Sequence, residues 1–331
     1  MNFDEAEQTT MLRDTLRRFI EKEMPRELAR TLDKSASHSR EAFRKLCELG
    51  VTALAVPEEY GGSGVDILSA IVVIEELAKR GTSLAGPFIH CAFYGALNIL
   101  ENGNEAQKKA LLPKFAQGEI LFAYGLSEPG VGGDLASATV TATLSADGQS
   151  VVINGTKRWV TGARIADYVY TLVRSGPKGD RYRNLSLVLV PTNSRGLTIV
   201  DIDHIGLRYA ETTDVIFDDV TVPVENIVGG REAWNKGWPM LVGRGLDIER
   251  LEITATAFGI AAAAVADAWQ YSQEREQFGR KICAHQAVRN MLVEARTKLE
   301  ACRHMLYHGA WLAPERRDFS VESSIAKLFV G

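Results

Sequence analysis

Only four cysteines occur in the 331 residues, Cys47, Cys91, Cys283 and Cys302, and no two of them form a CxxC pair. Such scatter excludes a disulfide framework and a zinc ribbon, and it fits reduced thiols in a cytosolic compartment. An excess of one charge is also missing. Lys and Arg number 38 against 42 Asp and Glu, a net −4, with no basic stripe of the kind nucleic acid demands. No uncharged apolar run reaches membrane-spanning length, so no membrane association is expected. The opening MNFDEAEQTT has neither a basic n-region nor an apolar h-region and is too acidic for a transit peptide. A cytoplasmic protein is therefore expected. The GxSxG elbow, the P-loop lysine motif and the HExxH zinc motif are absent. His304 and His308 stand at i and i+4 with no further ligand nearby, which reads as a half-exposed helix face rather than a metal site.

What remains is an ordinary globular composition, 46% hydrophobic and 24% charged, in three successive textures. Residues 1–120 read as helices, with apolar positions at three- and four-residue spacing in TTMLRDTLRRFIEKEM, SREAFRKLCELG and DILSAIVVIEELAKR. NEAQKKALLPKFAQG is a shorter helix that Pro113 is expected to interrupt, and VPEEYGGSG is loop. Residues 121–225 alternate β-branched residues with turn signals, Asp147-Gly148 between strands and Asn154-Gly155 at hairpin-like spacing. Strands without intervening helices predict a middle antiparallel β domain. From residue 226 to 331 helices return, two of them long enough for a bundle. The last segment, VESSIAKLFVG, stops inside an apolar helical pattern without a capping device, as a truncated chain would. The expected fold is α+β: an N-terminal helical domain, a middle β domain and a C-terminal helical bundle.

Within this frame a few stretches invite chemistry. In YGLSEPGVGGDLAS, Gly130, Gly132 and Gly133 can bare backbone N–H groups to an anion or admit a ring; a tight turn before a hairpin explains them equally well. A dinucleotide loop is excluded, because strand residues rather than a helix follow. In KRWVTGA, Trp159 and Thr161 stand two apart on a strand and share a face, which suits a flat heteroaromatic ring or, more simply, a core. In REQFGRKICAHQA, Arg275 can match a phosphate, or be the charged end of a helix before a turn.

Taken in this order, VPEEYGGSG, YGLSEPGVGGDLAS, INGTKRWVTGA, FDDVTVPVENIVG, GLDIERL and REQFGRKICAHQ resemble the acyl-CoA dehydrogenase family, over nearly the whole chain. The resemblance implies a four-helix C-terminal bundle that continues past residue 331, FAD as cofactor, and a tetramer with flavin sites shared between subunits. It implies flavin contacts from Tyr124, Leu126, Ser127, Gly132, Trp159 and Thr161. It also implies that Arg275, Gln277, Phe278, Ile282, His285 and Gln286 reach a neighbouring subunit's FAD. Asp247 and Arg250 match positions near the CoA moiety, and Gly133 stands where the family has a serine that helps hold the CoA arm. The implied reaction is fatty-acid dehydrogenation of the β-oxidation kind, an acyl-CoA thioester becoming a trans-2-enoyl-CoA. Its electrons pass to an electron-transferring flavoprotein. The alternatives are a flavin oxidase of the same fold, or a non-catalytic subunit of a hetero-oligomer, to which Gly133 and the early chain end point.

Glu249, in GLDIERLEI, matches the base of isovaleryl- and long-chain acyl-CoA dehydrogenases. At 100° per residue it shares a helix face with Ile253, Thr256 and Ile260. An apolar setting raises a carboxyl pKa and suits a base for a weakly acidic C–H. The implied chemistry is α-proton abstraction by Glu249 with hydride transfer to flavin N5. The simpler explanation is a first-turn carboxylate favoured by the helix dipole and paired with Arg250.

Overall fold

The computed structural model describes residues 5–208, 211–315 and 318–331. Its helices, in chain order, are α1 (Glu7–Glu23), α2 (Arg26–Lys34), α3 (Arg40–Cys47), α4 (Ile67–Ala78), α5 (Thr82–Cys91), α6 (Asn98–Asn102), α7 (Glu105–Ala116), α8 (Gly237–Val242), α9 (Arg244–Glu274), α10 (Gln286–Leu312) and α11 (Ser320–Val330). A π-helix, Ala92–Leu97, joins α5 to α6. The strands are β1 (Phe122–Gly125), β2 (Thr141–Leu144), β3 (Ser150–Thr161), β4 (Tyr168–Arg174), β5 (Leu185–Pro191), β6 (Leu197–Asp201) and β7 (Thr212–Pro223), with β8 (Glu276–Gln277) and β9 (Arg280–Lys281) apart from them. Contacts group these into two units. One holds Met1–Ala29, Asp66–Ala85 and Asp247–Gly331; the other holds Arg30–Val65 and Gly86–Leu246.

In the first unit α4 is apolar all round and therefore buried all round, from Ile67 and Ala70 through Ile74 to Leu77. Its start is set by Asp66, whose carboxylate accepts the Ser69 N–H at 3.0 Å. α1 and α10 lie against it and α9 approaches it at Gly259; the buried residues of these helices include Leu16 and Ile20 of α1, Leu251, Ala255 and Phe258 of α9, and Leu306 and Ala310 of α10. The approach of α9 to α4 depends on Gly259: a Cβ there would lie 2.4 Å from the Glu75 carbonyl oxygen. Gly259→Ala is therefore expected to force the helices apart, at a cost of roughly 1–3 kcal/mol by the usual penalty for overpacking. Thermal unfolding checks this; an unchanged midpoint would mean the contact gives way freely.

The second unit is built on a seven-stranded sheet of order β1-β4-β2-β3-β7-β6, with β5 beside β4. It is mixed rather than purely antiparallel. One edge of β4 takes β1 in parallel along Phe122–Gly125 and then touches β2 in parallel at Thr141. β1 and β2 therefore run in the same direction, one after the other, along that edge. The Asp147-Gly148 turn forms as expected, with Gly148 at φ 68°. Asn154-Gly155 is not a turn. β3 runs straight through it, with a bulge between Ile153 and Gly155. Asn154 instead exchanges hydrogen bonds with Asp219, both at 2.9 Å, and Gly155 is required because a Cβ would meet Val140 at 2.9 Å. Nor does Pro113 interrupt its helix. It sits in the last turn of α7, where one lost backbone bond is offset by burial of Leu111, Leu112 and Phe115 and by an Asn104–Gln107 capping box.

Thr82–Asn102 and Gly237–Glu274 are both long and apolar enough to cross a membrane when two charges are tolerated. This corrects the expectation that no such run occurs. The first is mostly buried within the protein and the second much less so; core helices pass the same length test.

Candidate functional site

Tyr124 lies on β1, which ends at Gly125, and the chain then turns sharply. Glu128 and Val131 exchange backbone bonds of 2.8 and 3.1 Å around Pro129-Gly130. Gly130, Gly132 and Gly133 follow, exposed, none of them at positive φ. A Cβ on any of the three would meet nothing within 4 Å. Neither backbone strain nor the chain's own packing calls for glycine here, so open space above the loop is what the three glycines provide.

The loop is tied to β3. The Ser127 carbonyl accepts the Arg158 N–H at 2.8 Å, which brings Leu126 and Ser127 beside Trp159. A second bulge, between Lys157 and Val160, interrupts the alternation expected of this strand. Trp159 sits in it at φ 62°, 57% exposed, with the Arg158 guanidinium 5.2 Å from its ring. Val160 is buried, and Thr161 beyond it is half-buried. A bulky residue at positive φ is strained, and bulges gather where a side chain must be re-aimed. An outward-turned indole beside an uncovered glycine loop fits a flat ring system.

Sequence reasoning missed the support behind Tyr124. Its ring stacks on Tyr94 at 4.0 Å, and its hydroxyl accepts from the Asn98 amide. Tyr94 lies in the π-helix, a local widening found often at functional sites. No sequence periodicity marks such a widening. Lys157 and Glu128 were also missed, although a lysine in step with Val151 and Ile153 on β3 was a readable signal.

In the other unit, Asp247, Glu249 and Arg250 occupy the start of α9. Arg250 gives its guanidinium to Asp247 rather than to Glu249. Glu249 is half-buried. Burial raises its carboxyl above the ordinary value, with Arg250 and Lys327 only partly pulling it back. The face it shares is more open than expected. Thr256 is buried, but Ile253 and Ile260 remain 41% and 40% exposed, because Ile248, Leu251, Ala255 and Phe258 form the packed side of α9. A carboxylate of raised pKa on an accessible apolar strip can take a proton from a carbon acid lying along it.

At the other end of α9, β8 and β9 form a two-residue hairpin through Phe278 and Gly279, both at positive φ, the geometry of a type I′ turn. His285 holds it, with Nε2 donating to the Gln277 carbonyl at 3.1 Å and Nδ1 accepting from Arg280 at 3.2 Å. Arg275, Gln277 and Gln286 are exposed, Ile282 is half-buried and Phe278 is 93% exposed. Some 26 residues of helix separate Arg275 from Glu249, roughly 40 Å at the α-helical rise. The structure thus does not bring these two groups together within one chain. His304 and His308 are exposed, and among the described residues no cluster could hold a metal ion. All four cysteines are free.

An outward aromatic at a strand bulge, tied through Arg158 and Ser127 to an open glycine-bearing loop, in a chain whose α9 carries a carboxylate raised by burial, suits an oxidoreductase of the flavoprotein type. Comparison with known proteins gives the family. The acyl-CoA dehydrogenase N-terminal, middle and C-terminal domains match residues 6–119, 123–220 and 235–331. This chain belongs to the acyl-CoA dehydrogenase family and is an enzyme of that type. It is 33% identical over 331 residues to the short-chain specific acyl-CoA dehydrogenase of Clostridium acetobutylicum, covering 99% of this chain and 85% of that one. The solved butyryl-CoA dehydrogenase of Megasphaera elsdenii superposes with a TM-score of 0.92 at 30% identity, over 100% of this chain and 85% of that one. A structure described as the electron transferring flavoprotein of Acidaminococcus fermentans gives 0.91 at 33%, with the same coverage.

Proposed function

We propose that this enzyme dehydrogenates an acyl-CoA thioester to a trans-2-enoyl-CoA, with Glu249 taking the α proton. One observation carries the reading: Glu249 is raised by burial on an accessible apolar strip while Arg250 is held by Asp247. Family membership makes FAD the cofactor, and the uncovered glycine loop with the outward Trp159 fits it. Tyr124, Leu126, Ser127, Gly132, Trp159 and Thr161 would hold the flavin, which when bound supplies the acceptor for the two electrons and β hydrogen of the substrate. Asp247, Arg250 and the Gly133 backbone would lie along the CoA arm. Similarity to the Acidaminococcus fermentans structure supports an electron-transferring flavoprotein as redox partner. The strained, exposed Phe278 hairpin supports a tetramer, in which Arg275, Gln277, Phe278, Ile282, His285 and Gln286 serve the flavin of another subunit. Four free cysteines support a reducing compartment, the cytoplasm. We retain 1–120, 121–225 and 226–331 as the domain division.

Anaerobic titration of the purified protein with straight and branched acyl-CoAs, starting from butyryl-CoA, tests the activity through loss of flavin absorbance. No bleaching by any thioester would sink it. Gly133→Ser is a second test. The space around Gly133 admits the side chain, so the variant is expected to fold normally and to lower the acyl-CoA Kd by about threefold to tenfold, the worth of one hydrogen bond. An unchanged Kd, measured by calorimetry with a non-reducible thioester, would place the CoA arm elsewhere.

A further inference from the structure

Behind the glycine loop lies a fully buried ion pair. Lys157 Nζ is 2.8 Å from Glu128 Oε1 and 2.8 Å from the Leu126 carbonyl oxygen, with the two side chains 0% and 2% exposed. Glu128 also accepts the N–H groups of Thr139 at 2.8 Å and Val140 at 3.0 Å, and the Thr139 hydroxyl. Burial acts to raise the Glu128 carboxyl, but Lys157, Thr139 and Val140 more than offset this, so it stays ionised.

Two buried charges are seldom the most stable way to fill such a space, since well-packed apolar residues of similar volume often do as well or better. What the pair supplies is direction. The peptide joining Leu126 to Ser127 is planar and trans, so its C=O and N–H point opposite ways. With the Leu126 carbonyl drawn inward to Lys157, the Ser127 N–H must point outward. The Ser127 carbonyl is fixed in turn by Arg158.

We propose that Lys157, braced by Glu128, is a positioning residue that aims the Ser127 N–H at the edge of the flavin ring. This rests on the assignment of the loop to FAD made above.

The test uses the whole chain as apo-protein titrated with FAD, read by quenching of flavin fluorescence, by the visible absorption bands and by thermal unfolding. Lys157→Met leaves Glu128 buried and unbalanced, and is expected to lower both stability and FAD affinity. Lys157→Met with Glu128→Gln removes both charges. Its unfolding temperature is expected to recover towards that of the unaltered protein, while its FAD Kd stays at least tenfold raised and its absorption bands shift. Recovery of affinity together with stability would overturn the proposal, leaving the pair a structural brace. A measurement on the unaltered protein needs no variant to fold: hydrogen exchange at the Ser127 amide should slow when FAD is added. Exchange there indifferent to FAD would also overturn the proposal. If the unaltered protein binds no FAD at all, it is the flavin reading that fails.

Discussion

Glu249→Gln is expected to abolish flavin bleaching by acyl-CoA on the time scale of turnover, lowering kcat by roughly 10²–10⁴-fold, the usual worth of a positioned acid or base. That corresponds to about 3–5 kcal/mol on the barrier. Glutamine keeps the shape of the side chain, so the Kd for a non-reducible thioester should hardly move and the loss should fall on kcat. Binding and chemistry are separable here because Asp247 and Arg250 already satisfy one another. The substitution takes away a proton acceptor without breaking an ion pair. The pH profile of the unaltered enzyme should carry the same signature. A base works only when deprotonated, so the rate falls as pH drops through its pKa. Because burial raises Glu249, that acid limb should lie above the ordinary glutamate value of about 4.3, and it should vanish from the residual activity of the variant. Bleaching by Glu249→Gln at the unaltered rate would assign the α proton to another group.

The second large effect concerns stability. Arg13 of α1 is buried among carboxylates. Its guanidinium reaches Glu76 at 2.7 Å, Glu75 at 2.9 Å and Glu5 at 2.9 Å, and Tyr307 of α10 bonds to both Arg13 and Glu75. Lys79 joins Glu76 at 2.7 Å and Arg17 joins it at 3.2 Å. Three helices, α1, α4 and α10, are pinned by one balanced cluster. Glu76→Ala would leave Arg13 buried with part of its partners gone, and is expected to cost about 3–5 kcal/mol, typical of a broken buried pair. Urea unfolding at neutral pH measures it. Burial acts to raise the Glu76 carboxyl, but Lys79, Arg17 and Arg13 together bring it below its ordinary value. A depressed carboxyl contributes stability that is present above the unfolded value of about 4.3 and lost as pH falls through the folded one. The gap between the unaltered protein and Glu76→Ala should therefore narrow in acid below that value. A gap independent of pH would mean that Glu76 acts through packing rather than charge.

Helices whose apolar stripe repeats at helical spacing, such as α1 and α10, were legible in the sequence, as was α4. The α, β, α order was legible too, because period and β-branching change abruptly near residues 121 and 226. The candidate base was visible because its carboxylate interrupts an apolar face. Where reading failed, a local signal was overruled by distant contacts. Asn154-Gly155 has the composition of a turn, yet Asp219 and Val140 draw it into a strand. Pro113 has the mark of a helix end, yet burial of Leu112 and Phe115 carries the helix past it.

By itself, then, the sequence determined the element types, the three-part order, the unpaired thiols and the residues to suspect, since these follow from local periodicity and side-chain chemistry. The tertiary structure alone decided that Trp159 turns outward at a bulge and that Lys157 reaches the Leu126 carbonyl. It also decided that Ile253 and Ile260 stay accessible beside Glu249. Bulges, buried pairs and the open side of a helix depend on which segments meet across the fold, and no window along the chain contains that information.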